Sequence, residues 1–194
     1  CKLDLPADGA PRGVALVAHP HPLYGGTMDN KVAQTLARAF VALGYASARM
    51  NFRGVGRSAG SHDAGIGETD DMAVLHAHLC AHYPNVPVAL AGFSFGTFVQ
   101  AQLQQRLIAQ GQPAERLALV GTAAGKWAVP PVPANTVSKG RGARFRPPFS
   151  GLAASGAPSM ATTWPLPVSA IKPMPERVPE LPVQLTVHSM CVLQ

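Results

Sequence analysis

Residues 88–97 read V-A-L-A-G-F-S-F-G-T, and the rest of the chain is organised around this stretch. The apolar run 88–91 has the composition of a buried strand, and the residues from Thr97 onward have helical spacing. Between them, the spacing G-x-S-x-G is typical of a nucleophile elbow, a turn so tight that glycine is needed two positions before and after the serine. Such a turn presents a hydroxyl at the carboxyl end of a sheet. The pattern predicts Ser94 as a nucleophile; the alternative is a Gly/Ser-rich turn without chemistry.

The composition indicates a globular domain with a sizeable core. The chain has 194 residues, of which 47% are hydrophobic and 13% are charged. It contains no apolar run long enough to span a bilayer and opens on no signal-like segment. The cysteines Cys1, Cys80 and Cys191 are widely spaced, which argues against a disulfide framework or a zinc site. We therefore expect a cytoplasmic protein with no membrane partner.

Charge and proline are distributed unevenly along the chain. Residues 1–129 hold ten Lys/Arg and eight Asp/Glu, a net charge of +2, whereas residues 130–194 hold six and two, a net charge of +4. The second part also contains twelve of the nineteen prolines. The composition therefore changes near Pro130, and the two parts need separate interpretations.

Strand-like and helix-like segments alternate up to residue 120, in the order β, β, α, β, α, β, α, β. The strands are expected at residues 2–5, 13–18, 45–50, 88–91 and 116–120, and the helices at 31–43, about 67–82 and about 95–109. Alternation of this kind predicts an α/β fold, with a mostly parallel sheet and helices on both faces.

Acyl transfer at Ser94 would require two N–H groups that stabilise the oxyanion. One is expected from the backbone of Phe95, directly after the serine, and the other from the loop 19–26 before the first helix. Two residues of this loop are prolines without an N–H, which leaves as the nearest donors His21, Leu23 and Tyr24. We favour His21 because it follows the His-Pro turn most closely. The alternative is that prolines and glycines merely shape a surface turn.

Two histidine pairs resemble parts of a metal site. His19 and His21 follow a strand, and His78 and His82 share one face of a helix. No acidic residue or cysteine is spaced to complete either group, so we expect no metal and interpret these histidines as surface or loop-anchoring residues.

The segment 54–56, Gly-Val-Gly, suggests a phosphate-binding loop but lacks the third glycine of that motif. We interpret it as a structural turn. Arg53 beside it either pairs with an acid, which would hold this loop next to the candidate site, or is solvated.

Four motifs together carry a family resemblance: H-P-H-P-L-Y-G-G-T-M-D-N-K, N-F-R-G-V-G-R-S, G-E-T-D-D and A-G-F-S-F-G. Over about residues 2–133 the chain resembles the α/β-hydrolase superfamily, and most closely small bacterial serine hydrolases related to serine aminopeptidase-like and dienelactone-hydrolase-like enzymes. The resemblance implies an α/β-hydrolase fold, a Ser–Asp–His triad, no cofactor, and cleavage of an ester, thioester or amide in a small-molecule acyl substrate. It matches Ser94 with the nucleophile, and Phe95 and the loop 19–26 with the oxyanion hole.

The remaining triad members are not identifiable. In this fold the acid and then the histidine follow the serine along the chain. The acids and the histidine after Ser94 are Glu115, Glu176, Glu180 and His188. Glu115 directly precedes a strand and so belongs to the wrong end of the sheet, and the other two acids stand among prolines close to His188. The expected spacing of acid, helix and histidine is missing.

We divide the chain into residues 1–136, an α/β-hydrolase core truncated at both ends, and residues 137–194, a Pro/Arg/Gly-rich tail that is disordered or out of frame. Residues 138–160 have neither helical nor strand periodicity. We favour a frameshift near Thr136. The alternatives are a basic arm able to contact phosphates and a non-catalytic binding protein, a pseudo-hydrolase with a basic tail. We expect no nucleic-acid partner, no strand beyond Val120 and little or no esterase activity.

Overall fold

The centre of the fold is a sheet whose strands alternate with helices along the chain. A computed structural model describes residues 1–122, 125–133 and 136–139, the last three of these by their backbone only. Within these residues the strands are β1 Lys2–Asp4, β2 Gly13–Ala18, β3 Tyr45–Arg49, β4 Val88–Phe93, β5 Arg116–Val120 and β6 Thr136–Lys139. The helices are α1 Lys31–Ala42, α2 Ile66–His82 and α3 Phe95–Ala109, with a short 3-10 turn over Pro22–Tyr24. The predicted order of elements up to residue 120 is confirmed.

The sheet has the strand order β1-β3-β2-β4-β5-β6. Only β1 runs antiparallel, against β3, and every other neighbouring pair is parallel. Ala18 at the end of β2 lies opposite Gly92, and Phe93 at the end of β4 lies opposite Val120. Because these carboxyl ends are level, the loops that follow β2, β4 and β5 meet at one edge of the sheet.

Helices cover both faces of the sheet, as predicted. Side chains alternate across a strand, so Leu16 and its even-numbered neighbours in β2 face α2 and α3, whereas Ala15 and Val17 face α1. All six residues of β2 are buried, which explains why this strand is a continuous apolar run. The larger core contains buried side chains of both helices on its side, including Met72 and Leu103.

Helix α1 begins and ends at the residues that the sequence favours. The side chain of Asn30 accepts a hydrogen bond from the Val32 amide at 2.9 Å, which satisfies one of the free N–H groups of the first turn. Gly44, just beyond the helix, has a φ of +84°, a conformation that glycine adopts without steric cost. These caps fix the length of the helix and therefore where the chain enters β3.

The expectation that no strand follows Val120 is wrong. Strand β6 pairs in parallel with β5, with Leu117 opposite Thr136 and Val120 opposite Lys139. Its first two residues, Thr136 and Val137, are of types that favour strands, and the pairing satisfies backbone groups of β5 that would otherwise form an open edge. Strand β6 crosses the proposed boundary at residue 136, and the division into core and tail stays a prediction. The later residues Glu176, Glu180 and His188 lie outside the described residues.

In the part of the chain that the structure describes, no helix is both long and apolar enough to cross a membrane.

Candidate functional site

The turn between β4 and α3 has the geometry of a strained elbow. Ser94 has φ +54° and ψ −115°, a conformation that a residue with a side chain adopts at a cost of about 1–3 kcal/mol. A side chain at Gly92 would overlap the backbone of Gly96, and one at Gly96 would overlap the backbone where β2 ends. The Ser94 amide donates to the Val120 carbonyl at 2.9 Å, and the Thr97 hydroxyl donates to the Ser94 carbonyl at 2.6 Å. The Thr97 amide also donates to the Ser94 carbonyl, at 3.0 Å. Both glycines are therefore required sterically, and three hydrogen bonds hold the strained backbone.

The loop 19–26 folds around His21. The His21 ring accepts a hydrogen bond from the Leu23 amide through Nδ1 at 3.2 Å, and its carbonyl accepts one from the Tyr24 amide at 3.1 Å. Two of the three predicted oxyanion donors in this loop thus have their N–H groups engaged, and His21 is the third. Phe95 is the first residue of α3, where backbone amides have no acceptor within the helix.

His19 is an anchor inside the fold. Its ring is fully buried, Nε2 accepts a hydrogen bond from the Phe52 amide at 3.0 Å, and Nδ1 lies 2.6 Å from the Pro20 carbonyl. Since a carbonyl only accepts, Nδ1 carries the proton and the ring is neutral. Burial is the main cause that lowers its pKa from 6.5 to about 4. Both ring nitrogens are engaged, which agrees with the loop-anchoring interpretation.

No group of three or more side chains able to hold a metal ion occurs among residues 1–122, 125–133 and 136–139. In these ranges neither His19 nor the pair His78 and His82 belongs to such a group.

Aromatic rings gather beside the elbow. The ring of His21 lies 4.8 Å from that of Phe95 and 5.7 Å from that of Trp127, measured between ring centroids. Trp127 also packs edge-on against Phe95 at 5.4 Å, and the ammonium of Lys126 lies 4.6 Å above the ring of Tyr24. Sequence reasoning missed Trp127, although its place shortly after β5 puts it at the carboxyl edge of the sheet.

A second group that the sequence did not reveal is the pair of His62 and Glu68. The carboxylate of Glu68 is fully buried. Its Oε1 lies 2.7 Å from Nδ1 of His62 and accepts a hydrogen bond from the Asp63 amide at 3.0 Å. Its Oε2 accepts a hydrogen bond from the Gly65 amide at 2.8 Å. Burial alone would raise the pKa of Glu68, but the backbone hydrogen bonds and that of His62 lower it below its ordinary value. Glu68 is thus a buried, ionised carboxylate.

Arg53 pairs with an acid, which settles the choice left open by the sequence. Its Nε and Nη2 donate to the two carboxylate oxygens of Asp71 at 2.9 and 2.8 Å. Hydrogen bonding to Asp71 is the main cause that raises the pKa of Arg53. Gly54 and Gly56 have φ values of +73° and +59°, so the segment between them is a turn built on glycine conformations. The ion pair fastens this turn to α2.

Among the described residues that follow Ser94 there is no histidine, and the only acid is Glu115. Glu115 lies directly before β5, at the amino end of the strands and thus at the opposite edge of the sheet from the elbow. The later histidine, His188, falls outside the described part of the chain.

A mostly parallel sheet with helices on both faces, and a strained serine turn between a central strand and a helix, define an α/β hydrolase fold. A family model described as "Serine aminopeptidase, S33" matches residues 10–190. The chain therefore belongs to this serine aminopeptidase family of the α/β hydrolases. The matched range extends beyond residue 133, where the resemblance read from the motifs ended, and the frameshift stays a hypothesis.

Solved structures of two bacterial serine hydrolases are similar to this chain. A serine hydrolase of Xanthomonas campestris, described as lacking a lid, is 38% identical with a TM-score of 0.64; the match covers 70% of this chain and 62% of that one. A homologue from Coxiella burnetii is also 38% identical with a TM-score of 0.57, over 63% and 56% of the two chains. An uncharacterized protein of Rickettsia prowazekii is 46% identical over 94 residues, which is 48% of this chain and 40% of that protein. The chain spans less than two thirds of each of these relatives.

Proposed function

We propose that this chain comes from a serine hydrolase that cleaves an ester, thioester or amide, with Ser94 as the nucleophile. The observation that carries the proposal is the backbone of Ser94, which holds a φ of +54° between two sterically required glycines. Strain of this kind persists where the surrounding structure enforces it, and it is concentrated at functional sites. Membership of the serine aminopeptidase family supports the same role.

The oxyanion hole that we propose consists of the backbone N–H groups of Phe95 and His21. The first amide of a helix lacks an intrahelical acceptor, and in the loop after β2 the amides of Leu23 and Tyr24 are already engaged. In the reaction, the Ser94 oxygen would form a bond to the carbonyl carbon while the carbonyl oxygen becomes negative and accepts from both amides. The hydroxyl proton must pass to a base. In the family order that base is a histidine that follows Ser94, and the described residues after Ser94 contain no histidine.

Labelling with a fluorophosphonate tests the nucleophile without requiring turnover. An oxyanion hole alone retains part of the rate acceleration of such enzymes, so we expect slow but stoichiometric modification of Ser94, detected by peptide mass spectrometry. Turnover of p-nitrophenyl acetate should be little or none. Ser94→Ala should abolish the labelling, and the control Ser61→Ala, at an exposed loop serine, should leave it unchanged.

The outcome also separates the two candidate functions. Modification of Ser61 and Ser94 at similar rates, or no modification at all, would contradict the hydrolase proposal and favour the non-catalytic binding protein. Rapid turnover of p-nitrophenyl acetate that is lost in Ser94→Ala would instead contradict the expected inactivity.

A further inference from the structure

The pair of His62 and Glu68 lies against both residues of the proposed oxyanion hole. The ring of His62 is 4.8 Å from that of His21 and 5.4 Å from that of Phe95, between centroids. Nothing in the proposed reaction uses this histidine or its carboxylate. Glu68 belongs to the first turn of α2, so the contact connects that helix to the loop after β2 and to the elbow.

The burial of Glu68 needs an explanation. A charge removed from water is costly unless hydrogen bonds compensate for it, and an apolar side chain would pack there without that cost. The carboxylate pairs with His62 and accepts from the amides of Asp63 and Gly65, the second of which also caps the start of α2. A carboxylate bound to one ring nitrogen of a histidine fixes both the tautomer and the plane of the ring. The arrangement therefore fixes how His62 is oriented.

His62 can act on the oxyanion loop through the ring of His21. That ring accepts the Leu23 amide through Nδ1 and thereby begins the short turn that shapes the loop. If His62 were absent, one side of the His21 ring would lose its neighbour and the ring could rotate away from Leu23. The loop would then no longer hold the backbone N–H of His21 in a fixed orientation.

We propose that Glu68 and His62 are positioning residues: the carboxylate holds the His62 ring, and this ring holds His21 so that its backbone N–H stays directed at the oxyanion. The proposal rests on the proposed function for its catalytic consequence. Its structural consequence, a fixed loop after β2, is independent of turnover and can be measured separately.

The decisive variant is His62→Asn. Asparagine keeps an N–H donor near the position of Nδ1, so Glu68 stays paired, but it removes the part of the ring that contacts His21. The control is Met72→Ala, which creates a cavity under α2 and lowers global stability while the side chains of His62, Glu68 and His21 all remain. Amide hydrogen exchange of Leu23, followed by NMR, reports the loop, and the second-order rate of fluorophosphonate labelling reports the oxyanion hole.

We expect His62→Asn to accelerate exchange of the Leu23 amide about tenfold and to slow labelling of Ser94 about tenfold, whereas Met72→Ala changes neither under conditions where it is folded. The proposal is overturned if His62→Asn leaves Leu23 exchange at the wild-type rate, or if Met72→Ala accelerates it equally. If the wild type is not labelled but Leu23 exchange responds to His62→Asn, the hydrolase proposal fails while the positioning of the loop is supported.

Discussion

Acid should destabilise this fold through His19. The buried ring uses both nitrogens, since Nδ1 donates to the Pro20 carbonyl and Nε2 accepts from the Phe52 amide. A second proton would have to bind Nε2, where it would face the N–H of Phe52. Burial accordingly lowers the pKa of His19 from 6.5 to about 4, and the Pro20 carbonyl and the charge of Glu68 offset this only in part.

The size of the effect follows from these two values. The unfolded chain binds the proton below pH 6.5, whereas the folded chain excludes it until about pH 4, so the free energy of unfolding falls as the pH is lowered between them. At about 1.4 kcal/mol per pH unit, the whole difference is about 3 kcal/mol, and about 2 kcal/mol of it is lost by pH 5. Above pH 6.5 His19 no longer makes the free energy of unfolding depend on pH. Domains have a total stability of about 5–15 kcal/mol, so this loss is easily measured.

Urea denaturation of the wild type and His19→Gln at pH 7.5 and pH 5 isolates this contribution. The glutamine side-chain oxygen can accept from the Phe52 amide but gains no proton, while the other titrating groups are common to both proteins. The wild type should lose about 2 kcal/mol more than the variant between these pH values. Losses that agree within about 0.5 kcal/mol would refute the reasoning, because His19 would then not carry the acid sensitivity.

Three further substitutions test the elbow and the core, and a fourth, Gly111→Ala, is a control. Ser94→Gly should raise the free energy of unfolding by about 1 kcal/mol, since glycine tolerates the positive φ, and should abolish labelling; a loss of stability would show that the backbone is unstrained. Gly96→Ala should lower the free energy of unfolding by more than about 2 kcal/mol, because the added methyl overlaps the backbone at the end of β2. Gly111→Ala has open space around the added methyl, so it should lower the free energy of unfolding by only about 1 kcal/mol. Gln104→Leu should cost about 2–4 kcal/mol in urea denaturation, because the buried amide and carbonyl of Ala114 both lose their partner.

Short-range signals explain which parts of the fold could be predicted. Strand β2 is an uninterrupted apolar run because both of its faces are covered, and α1 is delimited by Asn30 and Gly44, whose roles depend only on adjacent backbone. The elbow at Ser94 is likewise a local motif in which each glycine has a steric reason. The sequence therefore predicted these elements to within a residue or two.

The parts that could not be predicted depend on which loops the sheet order brings together. Nothing near His62 in the sequence indicates that its ring meets His21, since they lie on loops after different strands. Trp127 follows a third strand and approaches the same rings only once β5 is in place. Strand β6 was missed for another reason: four residues between a proline-rich segment and Gly140 are too few to show a period.

The hydrogen bond from the Ser94 amide to the Val120 carbonyl has a consequence for synthesis. The ribosome makes the serine turn well before it adds β5, yet that turn depends on β5 for one of the bonds that hold its backbone. A nascent chain that ends before Val120 therefore lacks this bond, and the strained conformation of Ser94 should be fully held only once β5 docks. Completion of this turn is then a late event in the synthesis of the chain.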